Sequence, residues 1–106
     1  MTEGDEGVTM PTYVSLINWT DEGIKNFRYS TQRADDFSKL VENLGGTVKE
    51  LLWTVGEYDI VCVVDFPDDE TGVAALLQVG AQGHVRSKTL RAFGEREMSA
   101  IVDRAG

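Results

Sequence analysis

Residues 60–64 read Ile60-Val61-Cys62-Val63-Val64, an unbroken apolar run entered from a glycine turn, Val55-Gly56-Glu57-Tyr58-Asp59. Successive side chains of a strand point to opposite faces, so a run without polar alternation needs cover on both. Its β-branched residues suit a pleated strand better than a helix, and Phe66-Pro67 ends it because proline cannot donate to a ladder. The run is therefore expected to be a central strand. Gly56 can take a positive φ at no steric cost, so Leu51-Leu52-Trp53-Thr54 is expected to fold back on Tyr58-Asp59-Ile60 as a hairpin. A turn role alone would account for Gly56.

A second strand is expected over 12–19, with Tyr13, Ser15, Ile17 and Trp19 on one face and Val14, Leu16 and Asn18 on the other. Thr20 then suits a helix N-cap, with Asp21 and Glu22 at the positive end of the dipole. Ser30-Thr31 supply a second cap and a restart. Beyond it Ala34, Phe37, Leu40, Val41 and Leu44 recur at helical spacing until Gly45-Gly46 ends the pattern. A strand over 47–54 leads into the hairpin. After Pro67, Asp68 and Asp69 can cap a second helix whose buried side would be Val73, Leu76, Leu77 and Gly80. Residues 84–93 read as a final strand polar enough for a sheet edge, and 95–104 as a short helix with Met98, Ile101 and Val102 on one stripe.

Strand, helix, strand, strand, helix, strand, helix is the order of an α+β, ferredoxin-like βαββαβ sandwich with an extra C-terminal helix. In that topology the first and third strands are central, and these are the two that are apolar on both faces. Residues 10–106 would form one domain, and the acidic, glycine-containing residues 1–9 a disordered tail. Two helices cover only one face of a four-stranded sheet. Val61 and Val63 beside Ile17 or Leu16 would leave an apolar patch on the other, and burying each such side chain contributes roughly 1.5 to 3 kcal/mol. That predicts a homodimer, or a larger homo-oligomer, joined sheet to sheet.

The formal net charge of -8 argues against nucleic acid and anionic membrane as partners. No apolar run approaches the roughly 20 residues of a membrane helix, the N-terminus is acidic where a signal peptide is basic, and the lone Cys62 can form no intrachain disulfide. A cytoplasmic, soluble protein is expected. No metal site is expected, because one histidine and one cysteine far apart do not make a closed ligand set. No nucleophile–base spacing, phosphate-cradling loop or dinucleotide fingerprint stands out.

Several stretches together resemble the GYD domain family. Gly56, Tyr58 and Asp59 correspond to the residues that name it; Met10-Pro11-Thr12-Tyr13 resembles its start, Trp19-Thr20-Asp21-Glu22-Gly23 its first strand-to-helix corner, and Thr89-Leu90-Arg91-Ala92-Phe93 its last strand. The resemblance spans about residues 10–93. It implies a dimeric α+β barrel and brings no settled activity with it.

Tyr58 and Asp59, with Trp53 across the hairpin, would place a phenol, a carboxylate and an aromatic wall at one end of the sheet. Asp59 is then either a base at a pocket mouth or an acceptor for turn N–H groups. Trp19 and Trp53 also sit at strand ends, as pocket aromatics or as core. Arg91, on an apolar face, needs an ion pair with Asp59 or a ligand carboxylate. His84 reads as a solvated loop residue, or as a haem ligand in this broad class of barrels. Three functions follow: a homo-oligomeric module binding a small molecule through Trp19, Trp53, Tyr58, Asp59 and Arg91; a cofactor-independent enzyme, monooxygenase- or isomerase-like, with Asp59 as base; or an assembly protein with no ligand.

Overall fold

The computed structural model describes residues 10–106, so the expected tail lies outside the described residues. Strands β1 (Thr12–Trp19), β2 (Thr47–Trp53), β3 (Ile60–Asp65) and β4 (Val85–Ala92) form one antiparallel sheet in the order β2-β3-β1-β4. The two strands that are apolar on both faces lie in the middle, and the polar β4 is an edge. Helices α1 (Asp21–Lys25), α2 (Ser30–Asn43), α3 (Asp69–Ala81) and α4 (Glu95–Ala105) complete the chain, with a 3-10 turn at Phe27–Tyr29 before α2. This is the α+β, ferredoxin-like order with an appended helix.

Register sorts the side chains between the two faces. Tyr13, Ser15 and Ile17 stand opposite Val64, Cys62 and Ile60, and directly opposed residues share a face. That face carries the core: Tyr13, Cys62 and Val64 are buried together with Val41 of α2, Ala75 of α3, and Phe66. On the other face Leu16 opposes Val61, Val14 opposes Val63 and Leu90, and Leu52 opposes Val61. Leu16, not Ile17, therefore flanks the Val61–Val63 patch, because the two neighbours in β1 point to opposite sides.

The helix ends follow the local chemistry. Thr20 Oγ1 accepts the Gly23 N–H at 3.0 Å and an Asp68 carboxylate oxygen accepts the Thr71 N–H at 2.7 Å, so both expected caps form. The restart at Ser30 also occurs, but without a side-chain cap. Ser30 Oγ instead accepts the Trp53 indole N–H at 2.6 Å, which ties the end of β2 to the start of α2.

On α3 the buried stripe differs from the expectation. Val73 and Leu77 are 52% and 70% exposed, while Gly72 and Ala75 are buried. The rings of Tyr13 and Phe66, 5.9 Å apart in an edge-on pair, already fill the layer beneath the helix. A Cβ on Gly72 would lie 3.1 Å from both, so at this end of the helix only the smallest side chains fit against the rings, while Val73 and Leu77 lie outward. The Tyr13 hydroxyl donates to the Asp69 carboxylate, and burial together with that bond pushes the phenol up to about 12.

The open face keeps no cover from α4. None of the α4 residues is buried, its Met98, Ile101 and Val102 stripe remains exposed, and it packs extensively on no other element. No helix among the described residues is long and apolar enough to cross a membrane.

Candidate functional site

A cavity of about 270 Å³ lies between the core face of the sheet and helices α2 and α3, toward the end where β1 finishes and β4 begins. Central-strand residues Ser15, Ile17, Ile60 and Cys62 line it from the sheet. Phe37 and Ala34 close it from α2, and Leu76 and Gly80, two residues of the expected α3 stripe, from α3. Trp19 completes the apolar lining. Cys62 is 1% exposed and burial pushes its thiol pKa up, so it behaves as an unreactive part of the wall.

Three polar groups of this lining set its chemistry. The Arg33 guanidinium is half-buried, donates to the Asn26 carbonyl at 3.1 Å, and forms no ion pair among the described residues. Arg86 donates to the Val85 carbonyl at 2.8 Å and the Gly80 carbonyl at 3.3 Å. His84 Nδ1 is shut off from solvent with no hydrogen-bond partner among the described residues, which costs roughly 1–3 kcal/mol while it stays unmet. His84 is held by its backbone: its carbonyl accepts the Thr20 N–H at 3.1 Å, and a Cβ on Gly23 would lie 2.0 Å from that same oxygen. Only glycine lets α1 approach so closely. His84 is thus a loop residue of intermediate exposure, with its carbonyl packed against α1 and its Nδ1 withdrawn from solvent. Among the described residues no cluster of three or more His, Cys, Asp or Glu could hold a metal.

The residues singled out by sequence divide between this cavity and its surroundings. Trp19 lines it; Trp53, 43% exposed, stands just outside and touches the lining residue Ser30. Asp59 lies in the β2–β3 loop, where Oδ2 accepts the backbone N–H of Trp19 at 2.9 Å and the Asn18 amide at 3.3 Å. The carboxylate's bonds therefore go to the end of β1, while only the Asp59 carbonyl bonds within its own turn, accepting the Thr54 N–H at 2.8 Å. Tyr58 lies under Lys88 Nζ at 6.0 Å, and Gly56 turns the exposed loop with φ 131°. Neither Tyr58 nor Asp59 lines the cavity.

Arg91 lies elsewhere. It opposes Tyr13 while Val85 opposes Trp19, which separates them by about 20 Å along β4 at roughly 3.3 Å per residue. The expected pair with Asp59 does not form: Arg91 Nε lies 3.8 Å from Asp69, and the guanidinium stacks 4.5 Å from the Phe93 ring centroid. Of the polar cavity residues, His84 is singled out by sequence only as a loop residue or haem ligand, and Arg33 not at all. Arg33 precedes Phe37 by four residues and so shares its helix face, a spacing that marks it as inward-leaning.

The family model described as the GYD domain matches residues 13–102. The chain belongs to the GYD domain family. The match takes in β1 from its second residue, all of β2, β3 and β4, and every residue of the cavity, so the site is part of the GYD domain itself. A relative from Thermus thermophilus, named "Glutamine synthetase and cystathionine beta-lyase binding protein", is 29% identical over 92 residues, which cover 86% of this chain and 97% of the relative.

Proposed function

We propose that this GYD domain is a homo-oligomeric binding module that holds a small molecule between its helices and its sheet and engages protein partners. One observation carries the reading: a cavity of about 270 Å³ with an apolar wall, a half-buried arginine without an ion pair and a buried, unpartnered histidine nitrogen. Few convergent polar groups in an apolar concavity are the usual make-up of a small-molecule site. Self-association is supported by Val14, Leu16, Val61, Val63, Leu52 and Leu90, which share a sheet face that α4 leaves uncovered. Protein partners are proposed from the Thermus relative, which is named for binding two enzymes. The exposed Met98, Ile101 and Val102 stripe on α4 offers such a partner an apolar helix face.

The enzymatic alternative, with Asp59 as base, has less support. The Asp59 carboxylate is engaged by Trp19 and Asn18, and it does not line the cavity in which a substrate would sit. Native mass spectrometry on protein purified gently from cells tests the proposal. The expected result is a whole-number oligomer carrying extra noncovalent mass. A bare oligomer would overturn the small-molecule part in favour of an assembly protein, and a bare monomer would overturn self-association as well.

A further inference from the structure

We infer that the cavity selects a small organic monocarboxylate with an apolar body, its carboxylate on the Arg33 guanidinium and its body against Trp19, Phe37 and Ile60. The inference rests on the small-molecule reading above and adds the chemical class. Charge distribution is the first argument. The chain carries 18 acidic residues against 10 basic, yet the cavity lining contains two arginines and no aspartate or glutamate. In so acidic a chain, a cavity wall with two arginines and no carboxylate favours an anion over a cation.

Arg33 supplies the second argument. A guanidinium presents five N–H donors in a planar fork that matches a carboxylate with two parallel bonds. Only the bond to the Asn26 carbonyl engages it, and no acidic side chain among the described residues neutralises it. Size and total charge narrow the class further. About 270 Å³ falls below the roughly 300–1,000 Å³ of sites for drug-sized ligands. Arg86 Nη1 donates to both the Gly80 and Val85 carbonyls, so Arg33 is the less engaged of the two cations, and a net charge of -8 across the chain favours a single negative charge over a phosphate dianion.

Phenylacetate and hexanoate, each beside its neutral amide, test this through the tryptophan fluorescence of the intact chain. The acids are expected to bind saturably and at least tenfold tighter than the amides. Arg33→Gln should abolish that preference while amide binding stays, and Arg33→Lys should restore part of it, with circular dichroism verifying the fold of both variants. Equal binding of acid and amide, an acid preference that survives Arg33→Gln, or displacement of phenylacetate by inorganic phosphate at lower concentration would each overturn the monocarboxylate class and leave the small-molecule reading standing. If neither acids nor amides bind but a neutral or cationic species is retained in native mass spectrometry, the class again falls alone. If nothing binds and nothing is retained, both fall.

Discussion

Asp59 joins the β2–β3 loop to the end of β1: its carboxylate accepts the Trp19 N–H, while its own N–H donates to the Ile17 carbonyl at 2.9 Å. Because Trp19 lines the cavity, this staple holds one wall in place from outside. Hydrogen bonds to a charged group contribute about 1.5–3 kcal/mol, so Asp59→Ala should lower the free energy of urea unfolding by about that amount. Asp59→Asn keeps an acceptor oxygen for the Trp19 N–H and should lose less than half as much. Asp59→Asn, which keeps that acceptor and leaves Arg33 in place, should bind phenylacetate within about threefold of the parent chain. A large loss of binding in a well-folded Asp59→Asn would instead return Asp59 to the site.

At the scale of elements, the decisive contact is α1 against the turn before β4. Thr20 bonds this turn twice, its N–H to the His84 carbonyl and its hydroxyl to the Gly83 carbonyl at 2.7 Å, and Gly23 lies directly against the His84 carbonyl. Glycine inside a helix costs about 1 kcal/mol relative to alanine, so Gly23→Ala would stabilise an isolated helix. Here the added methyl meets a backbone oxygen at 2.0 Å, which cannot turn aside as a flexible side chain would. Gly23→Ala should therefore destabilise the protein by roughly 1–3 kcal/mol in urea unfolding, as overpacked sites do, and expose His84 to solvent. Unchanged or raised stability would show that α1 does not lock this corner. The α3 stripe follows the same logic of filled space, with Gly72 against the two aromatic rings and Ala75 in the same buried cluster, while Val73 and Leu77 stay exposed.

For the whole molecule, the asymmetry of the two sheet faces governs behaviour. One face holds the core and the cavity, and the other presents aliphatic side chains that neither main helix covers. A second copy placed face to face would bury them, as closed two-fold assemblies do. Val61→Glu puts a charge beside Leu16 and Leu52 on that face, away from the buried cluster. Sedimentation equilibrium should show the parent chain as a homo-oligomer and the variant as a folded monomer. A variant that still assembles would move the interface elsewhere, to α4 in the first instance.

The fold was legible in the sequence because it rests on local, periodic information. The unbroken run at 60–64, the alternation over 12–19, the caps at Thr20 and Asp68 and the polar edge strand each state their own environment. Sheet order then follows from which strands are apolar on both faces. Gathering Trp19, Trp53, Tyr58 and Asp59 near one end of the sheet was also within reach, since all four flank strand ends. Tertiary structure decided what no spacing encodes: that the Tyr13 and Phe66 rings occupy the space under α3, that Arg91 meets Asp69 at the far end of β4, and that Arg33 and His84 share a cavity. Arg33 and His84 come from segments far apart in the chain and meet only through packing. Periodicity reports which face a side chain takes on its own element, whereas a cavity is a volume left over after several elements have packed against one another.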